Sequence, residues 1–340
     1  MAAIPLAAVA CDGDDEEDVG TGSAALAEAC GRIFDAARNV SDRCLYGAPL
    51  VDQLRPSERE GYVRFCSGLF GLPGVVADVP SRLARCASTI SASSCGALFA
   101  DSNLGCAEFE RATGTFAAGA ACDEDVQCAS GTCERPTDVA CGACAREVGE
   151  GESCDGDGVT CGPGLSCRRP DGGGGETCQR PRRAGEACNG DCETGSLCDG
   201  GVCKATAALP KAGEACAQYC AYGNVCLGAT CVALPKENEA CLANDKGDDC
   251  ALGLACDEAT KLCRRRFTGE VDPGGACDKD TYCKGGHCAG GRCVAYAKIG
   301  EACSRGEGQN DAGAAPLCAQ GHDCKAGTCA EWAPACPAGN

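Results

Sequence analysis

The sequence predicts small disulfide-rich repeats, short β-hairpins with little other regular structure, preceded by a small α-helical domain that also contains cysteines. Three observations carry this reading. Cysteine supplies 37 of the 340 residues, the cysteines after Cys122 recur in one frame about seven times, and eight of the fourteen aromatic residues lie before residue 117. Units too small to bury enough apolar surface are held by disulfides, which persist in oxidising compartments and not in the cytosol. So much cysteine therefore places the chain outside the cytoplasm, secreted or in the cell envelope.

Residues 1–11 read as a truncated secretion signal. MAAIPLAAVA is apolar, lacks a charged start and ends directly at Cys11, so the true start is expected upstream. Leu6 to Cys11, LAAVAC, resembles a bacterial lipoprotein signal, in which Cys11 is lipidated and becomes the mature N-terminus. Ala8-Val9-Ala10 also fits ordinary cleavage of the small-x-small type. Cysteine parity favours the lipid, because setting Cys11 aside leaves an even number of thiols. Residues 12–23, with Asp12, Asp14, Asp15, Glu16, Glu17 and Asp18, read as an acidic tether too polar to order itself.

Residues 24–117 carry helical periodicity and six cysteines: Cys30, Cys44, Cys66, Cys86, Cys95 and Cys106. Ser23 is expected to cap a helix that places Leu26, Cys30, Ile33, Phe34 and Ala37 on one face. Ser57-Glu58-Arg59-Glu60 has the pattern of a capping box, followed by Tyr62, Phe65, Cys66 and Leu69 along one side and a stop between Gly68 and Pro73. A third helix is expected from Pro80 to Ile90, with Leu83, Cys86, Ala87 and Ile90 inward. Six cysteines allow fifteen pairings, and spacing does not choose among them.

Residues 118–340 form about seven tandem repeats. Their cysteines are Cys122, Cys128, Cys133, Cys141 and Cys144; then Cys154, Cys161, Cys167 and Cys178; Cys188, Cys192, Cys198 and Cys203; Cys216, Cys220, Cys226 and Cys231. Three further sets follow: Cys241, Cys250, Cys256 and Cys263; Cys277, Cys283, Cys288 and Cys293; Cys303, Cys318, Cys324, Cys329 and Cys336. The third residue after each second cysteine is glycine in all seven: Gly131, Gly164, Gly195, Gly223, Gly253, Gly286 and Gly321. That regularity predicts a backbone position with positive φ in a tight hairpin turn. Cys144 and Cys336 are surplus to a fourfold count, which implies either a bridge between modules or reactive thiols.

The stretch CDEDVQCASGTC, Cys122 to Cys133, followed by Cys141-Gly142-Ala143-Cys144 and Gly151-Glu152-Ser153-Cys154, resembles the N-terminal cysteine-rich domain of the Dickkopf family. The likeness covers about residues 119–203. Later repeats are looser copies, similar also to EGF-like modules, and the adjacent cysteine pair of the family is missing. The resemblance implies a short-stranded, disulfide-knotted extracellular module that works by binding. The family's antagonism of a signalling receptor is not carried over to a chain with a bacterial-looking lipid signal.

Candidate chemistry is sparse. The two histidines, His287 and His322, read as exposed loop residues and supply no triad. The Gly172–Gly175 run is followed by Glu176, which makes it a flexible insertion and not a phosphate loop. Cys141-x-x-Cys144 lacks the βαβ context of a redox pair and the second pair of a zinc site. Asp123-Glu124-Asp125 and Asp278-Lys279-Asp280 have calcium-type ligands but read as solvated turns. Arg168-Arg169, Arg182-Arg183 and Arg264 to Arg266 read as protease-sensitive linkers or ordinary solvated charge, and Trp332 carries no reading alone. No catalytic, cofactor or metal residues are assigned and no cofactor is expected. A net charge of −19 argues against nucleic acid and anionic lipid. The expected function is non-enzymatic: a lipid-anchored recognition or adhesion protein, bound to the membrane through Cys11 and to a protein or surface glycan through its loops. The loop between first and second cysteines, three residues at Cys188–Cys192 and fourteen at Cys303–Cys318, is the expected contact region. The alternatives are a protease inhibitor, with Leu165, Arg168 or Leu197 as specificity residue, and a structural envelope spacer.

Overall fold

A computed structural model describes residues 19–51, 54–100, 106, 114–136, 141–169, 173–244, 247–277, 282–303, 317–319, 322–331 and 336. Among them are four α-helices, α1 (Val19–Cys44), α2 (Arg59–Phe70), α3 (Val79–Ala92) and α4 (Cys95–Ala100), followed by short strands that pair mostly in twos. The architecture is a helical region ahead of seven disulfide-rich hairpin modules. No helix of the described residues is long and apolar enough to cross a membrane.

Helix α1 buries Leu26, Ala29, Cys30, Phe34, Ala37 and Val40, with Ile33 half-buried beside them. It starts four residues ahead of Ser23, so that serine lies within the helix and does not cap it. A cap is a local preference worth about 1 kcal/mol, which continued backbone hydrogen bonding overrides. Cys30 is bonded to Cys66 on α2. The capping box expected at Ser57 does not form: Pro56–Glu58 is a 3-10 turn ahead of α2, flanked by Arg55. Ser57 is engaged elsewhere, its hydroxyl donating to Glu270 Oε1 and its main-chain N–H to Glu270 Oε2 at 3.2 Å. A charged acceptor outcompetes the local cap. Helix α3 buries Val79, Leu83, Cys86, Ala87 and Ile90 on one face, and Cys86 is bonded to Cys106. Cys44 and Cys95 are disulfide-bonded as well. The short α4 has too few turns to show a period in sequence.

The chain divides into two compact units, and each combines helix with hairpin modules. One runs from Leu69 to Ala233 and includes the C-terminal Pro334–Asn340. There the Gln127 side chain donates to Pro73 O at 3.0 Å, Thr115 N donates to Gly74 O at 2.7 Å, and α4 packs beside the 3-10 turn Thr206–Ala208. Cys141 and Cys336, 195 residues apart, are bonded, and Cys336 N donates to the Asp123 carboxylate at 3.0 Å.

The other unit joins the segment before Leu69 to Leu234–Ala333. Phe34, Ala37 and Leu54 form one cluster with Leu50 and Tyr62, the Phe34 and Tyr62 rings 5.5 Å apart. Leu45 and Ala48 form a second with Phe267 and Tyr282 of the hairpin region. The helical aromatics are thus not a self-contained core, because the modules donate two rings to it. The approach is close enough that a Cβ on Gly253 would sit 1.8 Å from Leu45 O, which excludes any side chain there. Arg55, only 6 % exposed, closes the contact. Its guanidinium donates to Cys283 O at 3.0 Å, Gly286 O at 3.3 Å and Tyr296 Oη at 3.1 Å, stacks 5.5 Å above the Tyr282 ring, and lies 3.6 Å from the Glu58 carboxylate.

Replacing a buried cation strands the groups it served, at a cost of about 3–5 kcal/mol. Arg55→Met, which keeps the stem but not the charge, is expected to destabilise this unit by that amount. Denaturant unfolding measures it, and hydrogen exchange should rise in 282–296 and not in 182–231.

Candidate functional site

The candidate site is the repeated loop-bearing face of the modules, and it is built from one frame used seven times. First cysteine bonds third, and second bonds fourth: Cys122–Cys133 with Cys128–Cys144, Cys154–Cys167 with Cys161–Cys178, Cys188–Cys198 with Cys192–Cys203, and Cys216–Cys226 with Cys220–Cys231. The same order holds for Cys241–Cys256 with Cys250–Cys263, Cys277–Cys288 with Cys283–Cys293, and Cys303–Cys324 with Cys318–Cys329. Third and fourth cysteines face each other across the hairpin, as in Cys198↔Cys203 and Cys226↔Cys231, yet each bonds outward to the loop strand. Three of the four sulfurs in a module, such as those of Cys188, Cys192 and Cys203, lie within 4.8 Å of one another, a spacing that also suits a metal. A sulfur already in a bridge has no thiolate to offer one.

Main-chain bonds repeat with equal regularity. The residue three before the first cysteine donates to the carbonyl of the fourth: Gly119 to Cys144, Gly151 to Cys178, Gly185 to Cys203, Gly213 to Cys231, Asn238 to Cys263, Gly274 to Cys293 and Gly300 to Cys329, at 2.7–2.8 Å. In five modules the glutamate two before the first cysteine also accepts from the main-chain N–H three residues behind it, as Glu186 does from Arg183 at 2.7 Å. A further framework position carries no invariant residue. The residue six before each first cysteine, Phe116, Val148, Arg182, Pro210, Pro235, Val271 or Ala297, accepts at its carbonyl from the residue after the second cysteine. It is buried or half-buried in every module and apolar in all but one, a signal that alignment of the seven copies on their first cysteine would have exposed. Pro210 and Pro235 lack an N–H and make that single bond, whereas Phe116, Arg182 and Ala297 donate as well.

The repeated glycine is not at the hairpin apex. Gly131, Gly164, Gly195, Gly223 and Gly253 do have positive φ, from 69° to 84°, but they occupy the turn that leads into the first hairpin strand. In four of these modules a bond such as Ser196 N to Glu193 O closes that turn, with glycine third of four residues, where a side chain on a positive φ is strained. Gly286 differs: Gly285 takes the positive φ, and Gly286 is needed because a Cβ would lie 2.2 Å from Val294 O. Gly321 lies outside the described residues. The apices are two-residue turns at Gly200-Gly201, Gly228-Ala229, Gly290-Gly291 and Ala326-Gly327, both residues at positive φ, which matches the twist of the strands.

The extra bridge uses Cys141 and Cys336, not Cys144 and Cys336. Cys144 stands opposite Cys133 in the sheet, the fourth-cysteine place, so Cys141 is the surplus one. Cys141 and Cys144 consequently have different partners and are not a dithiol pair.

The loop between first and second cysteines is presented differently by each module. In the fourth it is positioned by Asp199 of the third, which is 1 % exposed and accepts from Gln218 N at 2.8 Å, Tyr219 N at 3.1 Å and Lys204 Nζ at 2.7 Å. Tyr219 and Tyr222 are left partly exposed. In the third module the loop Asn189-Gly190-Asp191 borders an open cleft of about 440 Å³, lined also by Cys167, Arg168, Arg169, Glu176, Gln179 and Arg182. The basic pairs are therefore not loose linkers: Arg168 and Arg182 both reach Asp191 Oδ2, at 2.9 and 3.2 Å. Arg264 and Arg265 likewise belong to the strand Cys263–Arg265, with Arg265 on Glu237 at 3.0 Å. Leu165 and Leu197 are half-buried, and the Arg168 guanidinium also donates to Asp191 O at 2.9 Å.

Other expected positions resolve as follows. His287 and His322 lie on hairpin strands and not in loops; the half-buried His287 ring stacks on Tyr296 at 6.0 Å, and desolvation holds its pKa below the usual histidine value. Asp123 and Asp125 accept main-chain N–H groups, from Cys336 and from Cys133, which occupies them as turn anchors. Cys11, Asp278-Lys279-Asp280, Trp332 and most of the loop between Cys303 and Cys318 lie outside the described residues.

Two carboxylates should shift stability with pH in opposite senses. Burial pushes Asp199 up, but the Lys204 ammonium and the two N–H groups outweigh it and hold the carboxyl below its ordinary value. Its stabilising contribution is present above the unfolded value of 3.8 and is lost as pH falls through the folded one. Asp199→Asn should therefore lower the melting temperature at pH 7 and leave it unchanged once both forms are protonated. Desolvation pushes Glu124 up to about 7, so it favours the folded state least above that pH. Glu124→Gln should raise the melting temperature at pH 8 and hardly move it at pH 4, a difference that calorimetry at the two values reads directly. No family model, curated protein or solved structure matches the chain.

Proposed function

We propose that the chain is a non-enzymatic surface recognition or adhesion protein, held to a membrane by a lipid on Cys11 and making its contacts through the loops between first and second cysteines. The disulfide content supports an extracellular or secreted setting. The observation that carries the reading is the contrast between frame and loop: seven modules keep the same bridges and main-chain bonds, while the loop they hold changes in length and chemistry. Loops mounted on a braced scaffold bind with little ordering cost, since each loop is closed by disulfides at both ends. A spacer has no need of such variety, and an inhibitor is best served by a projecting specificity residue, whereas Leu165 and Leu197 are half-buried. The Dickkopf-like pattern of the first modules agrees with a role in binding.

Two measurements test the proposal. The protein produced in its native cells should partition with membranes and yield a lipid-modified Cys11 peptide in mass spectrometry, and Cys11→Ser should move it to the soluble fraction. The purified chain should retain named ligands from an array of surface glycans and matrix proteins, and lose them when the loops 189–191 and 217–219 are scrambled with all cysteines kept. Binding indifferent to scrambling would indicate a spacer, and potent inhibition of a secreted protease would indicate an inhibitor.

A further inference from the structure

We infer that the cleft between the second and third modules is a binding site for an acidic glycan, whose carboxylate or sulfate groups are taken by Arg169 and Arg182. The inference rests on the recognition reading above and names a ligand class for the cleft that one of its loops, 189–191, borders. Three independent observations converge on the cleft.

The first is charge. In a chain of net charge −19, the lining of the cleft holds three arginines, Arg168, Arg169 and Arg182, against two carboxylates, Glu176 and Asp191. Screening confines the influence of the remaining charge to about 8 Å at physiological salt, so an anion at the cleft meets this local reversal and not the acidic average.

The second is a broken pattern. The position six before the first cysteine is Phe, Val, Pro, Pro, Val or Ala in six modules, and arginine only in the third. Its main-chain role is unchanged, with Arg182 N donating to Asp191 O at 2.8 Å and Glu193 N donating to Arg182 O at 2.7 Å. The frame therefore does not require the guanidinium. What the guanidinium adds is a cation on the cleft wall.

The third is the lining. One carboxylate, Asp191, is shared by two cations, Arg168 and Arg182, so this group of three keeps a net positive charge. Arg169 has its side chain 69 % exposed and its nearest carboxylate, Glu176, at 3.8 Å. Gln179 and Asn189 complete the wall with carboxamides that donate to and accept from hydroxyls. A planar guanidinium fork fits a carboxylate or sulfate through two parallel hydrogen bonds. Arginine clusters also hold acidic peptides, but the carboxamides of Gln179 and Asn189 beside these guanidinium groups, with no aliphatic or aromatic side chain in the lining, suit a hydrated, hydroxyl-rich ligand better.

The test uses the full folded chain and four polymers: polygalacturonate, dextran sulfate, neutral dextran and polyglutamate. Expected are retention of polygalacturonate, dextran sulfate or both, weakening as salt rises, and none of neutral dextran; which polyanion binds identifies the oxyanion. Arg169→Glu should weaken binding about tenfold or more through lost charge-assisted bonds. Arg182→Val should do the same while the module stays folded, because valine fills this position in two other modules. Lys211→Glu, an exposed charge change in the fourth module, should have no effect. Equal binding of polyglutamate would overturn the glycan in favour of an acidic peptide, and insensitivity to both arginine variants would overturn the cleft. The array of the preceding test separates the two failures: ligands retained regardless of Arg169 sink the cleft alone, and an array with no ligand sinks the recognition reading with it.

Discussion

Crossed disulfides, first cysteine to third and second to fourth, are the constraint from which everything else in the hairpin region follows. A module of this size cannot bury enough apolar surface to offset the conformational entropy of its own chain. Closing a loop of about 15 residues removes roughly 3 kcal/mol of that entropy in the unfolded state, and each module does so twice. The largest fully buried side chains in the modules are accordingly cysteines and Asp199, not aliphatic residues. With the bridges crossed, the loop strand cannot slide along the hairpin, and the short main-chain bonds from the pre-cysteine turn to the fourth cysteine repeat with almost no spread.

Where the modules do take part in an apolar core, they share it. Phe267 and Tyr282 join Leu45 and Ala48, and Arg55 plugs the contact by donating to the main-chain carbonyls of Cys283 and Gly286. This arrangement explains two departures from local rules. Ser57 abandons its cap for Glu270, and Gly253 serves both as a turn residue and as the point of closest approach to Leu45. Both departures occur where a distant segment offers a stronger interaction than the neighbouring sequence does.

A stiff frame with exchangeable loops separates the parts that hold a module together from the parts that vary. Changes in the loop between first and second cysteines leave the bridges and the turn bonds intact, so each module is free to present a different surface: tyrosines held by Asp199 in the fourth, arginines around Asp191 in the third. Arg182 is the single arginine at a framework position that is apolar in the other six modules.

Much of the architecture was legible in the residues themselves. Cysteine spacing and the recurrent glycine defined the modules because disulfide loops and positive-φ turns are local in sequence, and the inward face of α3 was readable because a helix repeats its face every few residues. Pairing was not legible, since four cysteines allow three connectivities and only three-dimensional proximity selects the crossed one; the same limit hid Cys141 as the partner of Cys336. The true ends of α1, the loss of the Ser57 cap, the strand positions of the histidines and the gathering of Arg168, Arg182 and Asp191 into one cleft were also decided only by the fold. Sequence by itself determined that this is a protein of repeated sulfur-stapled hairpins, because composition and local turn chemistry are properties of short segments. Tertiary structure decided which sulfurs join and which charges meet, because those depend on contacts between segments that no local pattern records.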